Sequence, residues 1–194
     1  MKNLFLSIAF LSILFLNSCK DKDPKITSTL DISPEMKAYF VDYEVGTKWV
    51  YQDTLDTNSF DTIELTQIEP YNTNRKGILE KGYILHYKAQ KSRDFKISIG
   101  RGQQVNFYIN MYTDVTGDGA VTFENYNGEW ADWVNYYDSI ILQKKTYYKV
   151  ITNLSGTQYL SGVYFSKGLG VILFNNMEGN AIRNIFHLIN IVKP

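Results

Sequence analysis

Between Asp114 and Glu124 the chain sets oxygen-bearing residues at alternate positions: Asp114, Thr116 and Asp118, then Gly119, the main-chain carbonyl of Ala120, and Glu124. A hard cation such as Ca²⁺ takes about six to eight oxygens from a loop that turns sharply at a glycine. These residues are therefore candidate calcium ligands. The plainer alternative is a chain reversal at Gly117-Asp118-Gly119 that holds no metal, and the weight falls on the turn. Trp130, Trp133, Val134 and Tyr137 follow at the i, i+3, i+4, i+7 spacing of one helix face. Helical periodicity is what burial requires, so the first expectation is a short helix whose rings plug the fold. The sharper reading makes Trp130, Trp133 and Tyr137 an open aromatic platform. A sugar face would stack there, and Glu129, Asp132, Asn135 and Asp138 would take its hydroxyls.

Other chemistry is sparse. His86 and His187 lie far apart, neither in a ligand spacing, and read as structural. There is no Gly-x-Ser-x-Gly elbow and no phosphate loop. The one Cys of the chain, at position 19, leaves no internal disulfide, multi-Cys metal site or catalytic thiol further on. The chain is expected not to be an enzyme. With 20 Lys+Arg against 20 Asp+Glu there is also no global electrostatic case for nucleic acid.

What must position these residues begins with the N-terminus. Met1-Lys2-Asn3 precedes an apolar run from Leu4 to Leu16, broken only by Ser7 and Ser12. That run is shorter than the roughly 20 residues needed to cross a bilayer core, and it has the form of a signal-peptide core. Leu16-Asn17-Ser18-Cys19 resembles the lipobox of bacterial lipoproteins. The resemblance implies cleavage after residue 18, a diacylglyceryl thioether on Cys19 and acylation of its new amine. Two or more acyl chains anchor a protein stably, whereas one does so marginally. Lys20, rather than Asp, follows the Cys, which resembles outer-membrane sorting. Asp21 and Asp23 resemble the acidic export signal of Bacteroidota surface lipoproteins, so surface display is favoured over the periplasmic face.

The organisation expected is a signal peptide over 1–18, a flexible tether over 19–32 and one all-β domain over 33–194. Ser33-Pro34-Glu35 signals a short helix running to Tyr39, with Ser as N-cap and Pro in the first turn. Beyond it, period-2 alternation dominates. Phe95, Ile97 and Ile99 share one face and Lys96 and Ser98 the other, and 105–111 repeats the pattern after Gly100-Arg101-Gly102. Further strands are expected over 47–53, 60–68, 82–90, 145–152, 159–166, 171–174 and 182–192. The last is apolar on both faces and so should be central or covered. This spacing predicts an antiparallel meander closing toward a barrel or sandwich, with one or two short helices.

Tyr39-Phe40 with Gly46-Thr47-Lys48-Trp49-Val50-Tyr51, and Phe165-Ser166-Lys167-Gly168-Leu169-Gly170-Val171, resemble the opening and closing segments of secreted Bacteroidota domains. Asp114–Asn125 resembles an EF-hand or dockerin loop, with Thr116 in place of an Asp or Asn and the acid, Glu124, one position early. Asp53-Thr54, Asp61-Thr62 and Asp138-Ser139, each followed by an aliphatic residue, resemble Bacteroidota O-glycosylation acceptors at Thr54, Thr62 and Ser139. The function these expectations support is a lipid-anchored, non-catalytic envelope module that binds a protein or a glycan. The alternatives are a carrier of a hydrophobic ligand in a barrel cavity, and a hydrolase with an unrecognised site.

Overall fold

The structure is a computed structural model that describes residues 25–40, 42–102, 105, 107–113, 120–157 and 159–194. Cys19 and the leader expected before it, and Asp114, Thr116 and Asp118, lie outside the described residues.

Alternation decides the architecture. Strands 48–53, 95–100, 107–113 and 121–126 bury every second side chain, so they must pair within a sheet whose one face is covered. The described strands are β1 (Ser28–Leu30), β2 (Lys48–Asp53), β3 (Phe60–Arg75), β4 (Ile78–Ala89), β5 (Phe95–Gly100), β6 (Phe107–Thr113) and β7 (Val121–Tyr126). They continue with β8 (Glu129–Trp130), β9 (Asn135–Leu142), β10 (Lys145–Asn153), β11 (Leu160–Ser166), β12 (Gly170–Glu178) and β13 (Ala181–Val192). They form one sheet in the order β8-β7-β6-β5-β4-β3-β2-β13-β12-β11-β10-β9, with β1 added in parallel to the start of β4. All other pairings are antiparallel. The fold is all-β, as expected, and is a barrel nearly closed on itself. β13 lies inside the sheet, between β2 and β12, but its outer face is not covered: Ile182, Ile189 and Val192 are exposed. Among the described residues no helix is long and apolar enough to cross a membrane.

The interior is filled by side chains. Trp49, Tyr51, Ile63, Leu65, Leu85, Ile97, Ile109, Phe123, Phe165 and Phe174 are all buried there. A residual void among Phe40, Trp49, Tyr51, Ile63, Tyr87, Phe95, Ile97 and Val171 measures about 10 Å³, no more than one water's worth.

One short helix, α1 (Pro34–Lys37), is capped by Ser33, whose Oγ accepts the Met36 amide at 3.3 Å. It stops before Tyr39, because the chain turns there to send Phe40 into the barrel. The Phe40 ring lies 4.9 Å from Phe165 and 6.4 Å from Phe107. The two segments that resemble Bacteroidota domains meet at this point. Trp49 Nε1 donates to the Leu169 carbonyl at 2.8 Å and Tyr51 Oη to that of Val171 at 2.8 Å. Gly168 and Gly170 adopt φ of +78° and +77°, which lets the β11–β12 turn present those carbonyls.

Two expectations are corrected. Ser28–Leu30, assigned to the tether, are a strand on β4, so the ordered fold starts before residue 33. The helix expected over Trp130–Tyr137 does not exist. Trp130 ends β8, residues 131–134 turn, and Asn135–Leu142 form β9. The Val134 amide bonds the Ala131 carbonyl at 2.8 Å, closing a tight reversal. The helical spacing was coincidental: Trp130 ends β8, Trp133 and Val134 sit in the turn, and Tyr137 lies on β9.

Candidate functional site: a cleft at the barrel seam

The ends of the sheet, β8 and β9, are consecutive in the chain, yet they do not pair. β7 instead approaches β10 and β11. Asn153 Nδ2 donates to the Thr122 carbonyl at 2.6 Å, and Phe123 meets Phe165 edge-on at 5.0 Å. A cleft of about 640 Å³ opens here, to which β9 contributes Tyr136. Its rings come from Trp130, Tyr39 and Tyr136, and its polar groups from Asn125, Glu129, Lys149 and Lys167. Met36 and Val134 supply the remaining apolar wall.

Each ring is held. Trp130 packs on the buried Phe107, 6.3 Å centre to centre. Tyr39 donates its hydroxyl to the Lys149 carbonyl at 3.2 Å. Tyr136 Oη donates to Asp138 Oδ1 at 3.3 Å, and the same oxygen takes Lys149 Nζ at 2.7 Å. Lys149 also stands over the Tyr136 ring, 5.7 Å from its centre. The hydrogen bond to Asp138 raises the Lys149 pKa and lowers that of Asp138, so both stay charged at neutral pH. The backbone makes this possible, because Lys149 sits at φ +51°, a kink inside β10.

The aromatic platform read from the sequence is thus divided. Trp130 lines the cleft. Trp133 is 50% exposed on the turn and Tyr137 41% exposed on β9, and neither lines it. Tyr39, Tyr136 and Lys149 were missed. β9 carries no alternation that could have singled out Tyr136, since Asn135 to Ser139 are all exposed.

Of the calcium candidates, Ala120 is exposed just before β7 and Glu124 lies on β7, where its Oε2 accepts the Tyr126 hydroxyl at 2.6 Å. Among the described residues, no three His, Cys, Asp or Glu side chains stand together as a metal set. His86 Nε2 is 3.3 Å from Glu69 Oε2, and His187 is buried on β13.

The Asp-Thr and Asp-Ser segments differ in a way the sequence does not show. Asp61 is fully buried; its Oδ1 accepts the amides of Gln90 and Lys91 and its Oδ2 that of Ser92, at 2.9–3.1 Å. Asp53 is buried and accepts the Asn184 side chain at 2.6 Å and the amides of Leu55 and Ile185. These two carboxylates organise loops, and Thr54 and Thr62 beside them are half-buried. Ser139 alone of the three hydroxyls is fully open, on β9.

Fold and cleft together define an all-β, barrel-like protein with a ring-lined surface cleft. Compared with protein-family models, curated proteins and solved structures, the chain matches none of them.

Proposed function

We propose that this protein is a non-catalytic binding module, carried on the outer membrane by lipid on Cys19, whose seam cleft takes a glycan. The observation that carries the glycan reading is the pairing of the Trp130 and Tyr136 rings with Asn125, Glu129 and Lys149 in one cleft of about 640 Å³. Sugar rings have apolar C–H faces and polar rims, so they bind where aromatic faces alternate with amides and charges. Such mixed clefts, apolar with a few placed polar groups, are the usual form of small-ligand sites. The tethered state of Tyr136 means little ordering cost remains to be met on binding. The packed interior favours this module over a cavity carrier, since about 10 Å³ admits no acyl chain.

The full chain, assayed on a saccharide array and then by calorimetry with the saccharide that binds, should lose binding in Tyr136→Ala and Trp130→Ala but not in Trp133→Ala. Equal loss in Trp133→Ala, or no saccharide bound at all, would overturn the glycan reading. The anchor is tested separately: intact mass of protein from native envelopes should show a chain starting at Cys19 with added diacylglyceryl and acyl mass.

A further inference from the structure

A second concavity, of about 560 Å³, lies on the outer face of β4–β7 and shares no lining residue with the seam cleft. Its floor follows from the register. Tyr71, Gly82, Gly100, Tyr108 and Glu124 face one another in a row across five strands. The two glycines leave room that the tyrosines take: a Cβ at Gly82 would stand 2.3 Å from Tyr71 Cζ, and one at Gly100 would meet the Tyr108 hydroxyl. The two phenols hydrogen-bond each other above them. Burial, and then the bond to Tyr71, push the Tyr108 pKa up, so that phenol stays neutral.

The walls are acidic. Glu124 rises from β7. Glu80, two residues before Gly82 on the same face, is only 6% exposed. Arg75 Nε lies 3.5 Å from Glu80 Oε2, while Glu80 Oε1 is buried with no hydrogen-bond partner among the described residues. Buried polar atoms are nearly always satisfied, and a carboxylate oxygen is satisfied best by a charged donor. Ser98 and Asn110 add hydrogen-bonding groups beside it. Two carboxylates against one guanidinium leave the groove one charge negative. Calcium would want about six to eight oxygens in one shell, and the described residues gather no such set.

We propose that this groove binds a small molecule through a primary ammonium group, which donates to Glu80 Oε1 above the Tyr71–Tyr108 floor, with Glu124 supplying the second negative wall. The ammonium can belong to an alkylamine or to an amino sugar, and neutral analogues separate charge from shape. Calorimetry on the full chain at pH 7 and low ionic strength uses cadaverine and D-glucosamine, with pentane-1,5-diol and N-acetylglucosamine as their uncharged counterparts, and CaCl₂.

At least one amine should bind saturably, at least tenfold more tightly than its neutral counterpart, and whichever binds names the source. Glu80→Gln should weaken that binding tenfold or more, while Tyr136→Ala in the seam cleft leaves it unchanged, which keeps this site distinct from the glycan reading. Should Glu80→Gln fail to fold, Glu124→Gln must itself weaken the amine several-fold. The proposal is overturned if neither amine binds, if the neutral molecules bind as tightly, if the Glu80 or Glu124 variant binds as before, or if Ca²⁺ binds in a Glu80-dependent way.

Discussion

Asn153 donates its side-chain amide to the Thr122 carbonyl at 2.6 Å, linking β10 to β7 where no strand ladder joins them. A side chain here does what backbone pairing does elsewhere in the sheet. Asn153 Oδ1 in turn accepts the Ser155 amide at 2.9 Å, which aims the side chain across the gap.

Removing that link should loosen the seam without unfolding the barrel. Asn153→Ala leaves the Thr122 carbonyl unpaired, at a cost of about 1–2 kcal/mol, or roughly 3–6 °C in Tm for a chain of this size. Hydrogen exchange should quicken in β7 and β8 more than in β2 or β13. Uniform quickening would show that the seam is not a local weak point.

Asp61 predicts a larger effect from a residue with no site role. Its carboxylate is the acceptor for three consecutive amides at 90–92. Asp61→Ala should cost about 3 kcal/mol, since these bonds are charge-assisted and their donors are partly buried. Thermal melts measure it, and a shift under about 2 °C would refute the role.

Acid should weaken the fold in two steps. His187 is held below its ordinary 6.5, first by burial and further by Lys145, with the backbone bond to Gln52 opposing. A depressed folded pKa means full stability above 6.5 and loss as pH falls below it toward the folded value. For Asp53, burial pushes upward, but hydrogen bonds from Asn184 and the amides of Leu55, Ile185 and Asp56 outweigh it and leave the carboxyl below 3.8. Its contribution is present above 3.8 and is lost as pH drops through the lower folded value. Urea melts from pH 7.5 to 4.5 should show the first loss, and His187→Gln should flatten it.

Gly82 is a site where a single methyl matters. A Cβ would stand 2.3 Å from Tyr71 Cζ and 2.5 Å from the Ile99 carbonyl oxygen. The ring can move but the β5 backbone cannot, so Gly82→Ala should destabilise by about 1–3 kcal/mol. In a double-mutant cycle Tyr71→Ala should recover only part of that loss, because the clash with Ile99 remains. Full recovery would place the strain on the ring alone.

Local pattern reached far into this fold. Alternation in 95–99 and 107–111 marked which side chains face inward, because a strand's period of two leaves no other arrangement once one face is covered. Strand 182–192 does lie inside the sheet, but its two-sided apolarity did not mean two covered faces, since Ile182, Ile189 and Val192 are exposed. Ser33-Pro34 marked a helix start, since the cap and the first-turn proline act within three residues. The Trp130–Tyr137 spacing misled because a strand end, a turn and the start of the next strand can reproduce a helix period over so short a window.

What the chain determined by itself was its all-β character, the inward-facing residues of β5 and β6 and the turn chemistry between strands, all of which arise from interactions a few residues long. Tertiary structure alone decided that β7 meets β10 through one asparagine, that Trp130, Tyr39 and Tyr136 share a cleft, and that Glu80 lies buried beside Arg75 above two glycines. Those juxtapositions depend on strand order and register, which are settled by the packing of the whole sheet.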